Sequence, residues 1–386
     1  MISQEQTIAE PSVMMLGAEH GSALGVIRGL GRRGIRVYAG GCYARPAAGY
    51  SRFVTRRFTY SDSPDLAFDQ IVERLRRWRP GVLLPIMDHA WSVVYSHLTD
   101  WSDYTTLIPC PDSALRDELG DKARLARLAE AHGVAMPRTF APPSVEEALA
   151  LQDELPYPVL LKPAAGTAGI GISLVRDAAS LEAALQADDT PPMIQEYVEG
   201  EDLELTILAD RGEPVAGSAY VTLRNRPPYG PPVACRTIHD DEFMRIGTGF
   251  LRGLGYHGVA HLDFRRDRRD GEPKLLDFNV RLAGSNEIST RTGVDFAYLL
   301  YQLALGRRVE PCFEYEVGTE FRWPLFGEIR HLVCSPHKGA VASELLRWRG
   351  VHTDVSLSDP LPHVVDLFNV LANVGAGLVH RSGTDG

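Results

Sequence analysis

A lysine that closes an apolar run and is followed by a loop of small residues could contact phosphate. The stretch is "PVLLKPAAGTAGIGI", residues 158–172, with Lys162 ahead of the glycines. In a P-loop the order is reversed, because the lysine follows the glycines and opens a helix. Here the pattern reads strand, small-residue turn, strand. Alone it indicates only a site that a phosphate could approach.

A second stretch carries acids. In "GVAHLDFRRDRRDGEPKLLDFNVRLAG", residues 258–284, strand alternation puts His261, Asp263 and Arg265 on one face. In the following run Leu275, Asp277, Asn279 and Arg281 share a face, opposite Leu276, Phe278 and Val280. Asp270-Gly271 marks the turn, and folding about it sets Asp263 against Asp277 and His261 against Asn279. Facing carboxylates repel unless a cation lies between them. Two aspartates and an asparagine supply oxygen donors, which suit Mg²⁺ rather than zinc. The other reading is a solvated polar face on which Arg265 and Arg281 neutralise the acids, and the hairpin by itself does not choose.

These residues need elements to hold them. Residues 13–39 read as strand, helix and strand, and apolar runs at 81–86 and 105–109 with a helix over 65–78 continue the alternation. That pattern predicts an open, mostly parallel sheet with helices on both faces. Gly17, Gly21 and Gly25 follow the first strand, but the spacing is not G-x-G-x-x-G and no acid ends the second strand. A plain strand-to-helix turn is the preferred reading, with an NAD(P)-binding oxidoreductase as the rival. Beyond residue 111 the spacing changes to hairpins, with strands expected at 157–162, 170–175, 193–198, 203–209, 214–223, 258–265 and 273–281. "TLRNRPPYGPPVACRTI" (222–238) reads as a Pro/Gly-rich loop whose arginines, Arg236 among them, either bind an anionic group or form an exposed basic loop.

Composition narrows the classes. The 386 residues are 44% hydrophobic, enough for two or three packed domains. Five scattered cysteines form no CxxC pair, which speaks against a zinc site or a disulfide framework and for a reducing compartment. A net charge of −10 gives no support for a nucleic-acid or membrane partner. No signal peptide is evident, and the apolar run 364–379 is broken by Asp366, Asn369 and Asn373, so a cytoplasmic protein is expected.

Lys122 in "DKARLARLAEAHGVAMP", "LLKPAAGTAGIGI", "IQEYVEGEDLELTIL" and "LLDFNVR" occur in this order. Together they resemble the ATP-grasp superfamily, and "LGAEHGSALG", "SRFV" and "DPLP" resemble its stand-alone carboxylate–amine ligases. The resemblance implies an α/β and α+β chain: a Rossmann-like preATP-grasp domain (1–111), ATP-grasp subdomains at 112–190 and 191–310, and a carboxy-terminal segment (311–386). It implies ATP and Mg²⁺ (or Mn²⁺) as cofactors, with Lys122 and Lys162 on the α- and β-phosphates. Gly166, Thr167, Gly169 and Gly171 would form a flap over the β/γ-phosphates. Glu196, Tyr197 and Val198 would contact adenine, and Asp202 or Glu204 the ribose, with Asp202 favoured by its offset after Gly200. Asp263, Asp277 and Asn279 would ligate metal, although family members often carry Glu where Asp277 stands. Arg281 would stabilise the transferring phosphoryl group. His261 would touch an acyl phosphate or be a satisfied strand histidine, and Arg236 would bind a substrate anion. Small carboxylate and amine substrates are implied, at least one an amino acid or small peptide, and a homodimer is compatible with them. The rival with the same ATP site phosphorylates or carboxylates a small molecule without forming an amide.

Overall fold

The computed structural model describes residues 11–162, 171–186, 190–225, 230–328, 331–332, 338–347 and 349–369. The chain forms two compact units, each assembled from separate stretches. Unit 1 comprises residues 1–110, 281–310 and 354–386, and unit 2 comprises residues 111–280 and 311–353.

Unit 1 is built on strands β1 (Ser12–Leu16), β2 (Arg36–Gly41), β3 (Val54–Thr59), β4 (Val82–Pro85) and β5 (Thr106–Leu107), all parallel, in the order β3-β2-β1-β4-β5. Helices α1 (Gly21–Arg32), α2 (Pro64–Trp78) and α3 (Asp88–Ser96) alternate with them. β1 and β4 are buried along their whole length, which explains why they read as unbroken apolar runs. Gly17 takes φ +95 at the first turn, a conformation that favours glycine. Gly25 serves packing: a Cβ there would stand 3.1 Å from the Glu287 Cβ. The space above α1 is therefore filled by a side chain, which weakens the dinucleotide alternative.

The expected carboxy-terminal segment divides between the units. Residues 311–353 add two strands to unit 2, whereas the described part of 354–386 packs in unit 1. There Arg28 on α1, wholly buried, donates from Nε to Asp359 Oδ2 at 2.9 Å and from Nη2 to the Asp359 carbonyl at 3.0 Å. Ser51 Oγ and the Arg52 amide also donate to the Asp359 carboxylate, at 2.7 and 2.8 Å.

Unit 2 contains two sheets. The smaller joins β6 (Thr139–Phe140), β7 (Val159–Lys162), β8 (Ser173–Val175) and β9 (Met193–Glu196) in the order β6-β9-β7-β8. It thus draws β9 from beyond residue 190, across the expected subdomain boundary. Val159, Leu161, Val175 and Ile194 form its core with Leu181 and Leu185 of α7 (Ala178–Leu185). Helices α4 (Ser113–Gly120), α5 (Lys122–Ala131) and α6 (Val145–Ala150) precede α7.

The larger sheet runs β14-β13-β10-β11-β12-β15-β16. Its strands are β10 (Gly200–Asp210), β11 (Glu213–Asn225), β12 (Pro232–Ile238), β13 (Gly258–Asp267), β14 (Pro273–Asn279), β15 (Glu320–Arg322) and β16 (Val351–Thr353). Leu203, Leu205 and Ile207 of β10 and Ala260, Leu262 and Phe264 of β13 point to one core, shared with Phe243 and Phe250 of α8 (Asp241–Gly253). Period-2 alternation then turns Asp202, Glu204, Thr206, His261, Asp263 and Arg265 to the opposite face. β12 corrects the loop reading of 232–238: Pro232 lies at the strand entrance, where it pairs with Asn225 and costs the ladder little.

Candidate ATP and metal site

The hairpin of β13 and β14 sets Asp263 opposite Asp277 and His261 opposite Asn279. A bulge follows, because Phe264 pairs with Leu275 and leaves Leu276 unpaired. The extra residue moves Leu275 off the polar face assigned from the alternation and into the core, where it is wholly buried beside Phe278.

Each acid has company from unit 2. Lys122, the first residue of α5 after the capping Asp121, directs its ammonium to Asp277 Oδ1. Asn279 Nδ2 donates to Asp263 Oδ2 at 3.1 Å. His261 Nε2 lies 3.0 Å from Asp263 Oδ1 and 3.2 Å from Glu204 Oε2. Burial works against a charged imidazole here, but Asp263 and Glu204 override it and push His261 up to about 9. Glu204 stands opposite Asp263 on β10 and is held by Tyr220 Oη at 2.5 Å and Thr222 Oγ1 at 2.8 Å. Burial opposes its ionisation, yet His261, Tyr220 and Thr222 keep its carboxyl below the usual range. The donor atoms of Glu204, His261 and Asp263 all lie within 4.8 Å of one another.

Lys162, at the end of β7, donates from Nζ to Gln195 Oε1 at 2.7 Å. Burial first and the charge of Lys122 second lower it to about 8, with Asp277 pulling the other way. Asp202 accepts from Arg265 Nε at 2.6 Å and Asn225 Nδ2 at 2.9 Å, and so keeps a partly exposed carboxylate beside the core acids. Glu196 accepts from Arg269 Nη2 at 2.5 Å and from the Arg138 amide at 3.2 Å. The Val198 carbonyl accepts from Arg265, whose guanidinium also lies 5.9 Å from the Tyr197 ring.

The other candidates are placed differently. Arg236 is exposed and pairs with Val221, which shares the core face with Leu203, so it stands on the opposite face of the sheet from Glu204. The loop reading is corrected for Arg236, because residues 232–238 form β12. Arg281 belongs to unit 1, where its Nε donates to Asp88 Oδ1 at 2.9 Å. Gly171 is a turn residue with φ +79, while Gly166, Thr167 and Gly169 lie outside the described residues. Sequence reasoning missed Thr206, Tyr220 and Thr222. Their alternation on β10 and β11 could have flagged them once Glu204 was placed on the polar face.

Asp263, Asp277 and Asn279 offer oxygen donors on adjacent strands, and a lysine ammonium already bonds one of the facing carboxylates. Such a set fits a hard divalent cation.

A lysine-bearing small sheet beside a larger one that displays paired acids defines the class: this chain has the ATP-grasp fold. Sequence matches agree. The family described as "ATP-grasp in the biosynthetic pathway with Ter operon" matches residues 188–323, and the carbamoyl-phosphate synthase L chain ATP-binding domain matches residues 121–214. Each of these family models matches less than half of the chain.

Its relatives include the carbamoyl phosphate synthase large chain of Pyrobaculum aerophilum, 24% identical in an alignment of 223 positions that covers 50% of this chain and 22% of that one. The N-terminal section of the Methanopyrus kandleri enzyme is 24% identical over 47% of this chain and 37% of its own length. The chain thus spans well under half of these relatives. Among solved structures, the biotin carboxylase domain of Hydrogenobacter thermophilus 2-oxoglutarate carboxylase, in complex with MgADP and bicarbonate, gives a TM-score of 0.65 at 20% identity, covering 80% of this chain and 73% of that one. The L-amino acid ligase of Bacillus licheniformis gives 0.60 at 17% identity, covering 76% and 74%. These relatives are named as enzymes. Among the described residues no helix is long and apolar enough to cross a membrane.

Proposed function

We propose that the chain is an ATP-dependent carboxylate–amine ligase that releases ADP and phosphate. The observation that supports an ATP and metal site is the cross-strand pair Asp263–Asp277 with the Lys122 ammonium on it, and likeness to an L-amino acid ligase favours amide formation there. Lys122 and Lys162 bind the α- and β-phosphates as point charges. Asp263, Asp277 and Asn279 hold Mg²⁺, which when bound neutralises phosphate charge. Glu196, Tyr197 and Val198 receive the adenine, and Asp202 the ribose hydroxyls. Glu204, enclosed by His261, Tyr220 and Thr222, serves the metal face instead of the ribose. A substrate carboxylate oxygen attacks the γ-phosphorus and ADP leaves. The amine then attacks the acyl carbon, phosphate leaves and the amine nitrogen loses a proton. Arg281 is the proposed partner of the charge that develops at phosphorus or at the tetrahedral carbon.

An amino acid or small peptide as one substrate is supported by likeness to the L-amino acid ligase. Likeness to carboxylases supports a second reading, in which the same ATP site phosphorylates or carboxylates a small molecule. Assembly as a homodimer is part of the proposal, as in the dimeric carboxylase domain, and sedimentation would test it. The deciding experiment incubates the protein with Mg·ATP and paired amino acids and small acids, following nucleotide products and masses. ADP with a new amide is expected. A stable phosphorylated or bicarbonate-dependent product without an amide would favour the second reading, and AMP with pyrophosphate would overturn both.

A further inference from the structure

Charge in unit 1 is unevenly distributed. Residues 20–61 contain eight arginines and no acidic residue, in a chain whose net charge is −10. Arg28 is buried on Asp359 and Arg33 pairs with Asp295. Arg32, Arg45, Arg52, Arg56 and Arg57 are exposed, and among the described residues none of their side chains forms an ion pair with a carboxylate.

Aromatic rings hold four of them instead. Arg57 lies 4.2 Å from the Tyr50 ring, Arg56 5.9 Å from Trp78, and Arg52 and Arg32 lie 5.4 and 5.8 Å from Phe53. A guanidinium seated on a ring keeps its N–H edges outward with less freedom to lose on binding an anion. The strand that carries Arg56 and Arg57 is β3, which ends the sheet and pairs with β2 alone. Its outer edge offers backbone groups with no strand partner among the described residues, and Thr55, Arg56, Arg57 and Thr59 are all exposed. Adjacent strand residues point to opposite faces, so Arg56 and Arg57 flank that edge on both sides.

We propose that the outer edge of β3 is a docking site for an extended acidic peptide segment of a partner protein. The segment would add a strand to the sheet and place its alternate carboxylates on Arg56 and Arg57. Charge complementarity selects a short peptide. A long nucleic acid or a membrane surface would also lie against the remaining chain, which is more acidic than the −10 total.

The test measures fluorescence anisotropy of a labelled octaglutamate peptide on the full chain. Binding is expected, weakened at least about tenfold by the double variant Arg56→Glu/Arg57→Glu and by added salt. The same peptide N-methylated at alternate residues keeps its charge but cannot form a ladder, and should lose affinity. Arg56→Gln/Arg57→Gln, with an unchanged melting temperature, guards against misfolding and should bind with intermediate strength. No peptide binding would overturn the proposal and leave the arginines as mere protection of a sheet edge. Equal binding by the N-methylated peptide, or preference for an oligonucleotide or anionic vesicles, would also overturn it.

Discussion

Asp263 and Asp277 face each other across adjacent antiparallel strands, and both remain partly exposed. Two facing carboxylates are tolerable only with positive charge near them, which Lys122 and His261 supply. Asp263→Asn and Asp277→Asn should each cut ADP release by about a hundredfold or more, since charge neutralisation at a phosphoryl site is worth several kcal/mol. Steady-state kinetics at several Mg²⁺ concentrations, with circular dichroism to confirm folding, would check this. Unchanged turnover would remove these residues from the metal site.

Lys162 is lowered to about 8 mainly by burial, so it loses its proton within an accessible range. If its ammonium binds phosphate, ATP affinity is full below that pH and falls as pH rises through it. Calorimetric titration of ATP between pH 7 and 9.5 should show this weakening, and Lys162→Met should bind weakly with a flatter profile. A variant that matches the parent chain at pH 7 would sink the assignment.

Glu204 and His261 form a buried pair. Removing His261 strands the Glu204 charge among neutral donors, which typically costs about 3–5 kcal/mol, whereas replacing both with apolar groups often costs little. Urea unfolding should therefore find His261→Leu strongly destabilised and the double variant Glu204→Leu/His261→Leu closer to the parent chain. Additive losses would show that the two residues are energetically independent.

In unit 1, burial raises Asp354 to about 6, and its Oδ1 lacks a hydrogen-bond partner among the described residues. A folded carboxyl with a raised pKa contributes stability when protonated and loses it as pH climbs from the unfolded value, about 4, to about 6. Asp354→Asn should therefore raise the melting temperature at pH 7–8, with a gain of about 3 kcal/mol, and change little near pH 4. An equal shift at both pH values would refute the account.

Gly247 on α8 permits a close approach to β10, since a Cβ there would lie 2.3 Å from Leu205 Cδ2. Gly247→Ala should overpack this contact and cost about 1–3 kcal/mol, measurable as a lower denaturation midpoint without loss of the native spectrum.

The pairing of Asp263 with Asp277 was legible because the Asp-Gly turn marks where the hairpin folds. Leu275 was misplaced because a bulge shifts the period by one, and no residue type marks Leu276 as the extra one. The partners of Glu204 come from β11, sixteen and eighteen residues away, and only strand pairing brings them together. Arg236 was misread because prolines at a strand entrance look like a loop from sequence alone. Division of the tail at 353/354 depends on Asp359 meeting Arg28, a contact 331 residues apart that no local pattern encodes.

That last contact limits how the gene can be trimmed. A fragment ending at residue 310 would retain every residue assigned to the ATP and metal site. It would also strip Arg28 of the Asp359 carboxylate that it bonds, and removing one partner of a buried pair costs about 3–5 kcal/mol, comparable with the whole margin by which many domains stay folded. Residues far from any chemistry thus determine how little of the chain can be inherited, swapped or expressed and still be a protein.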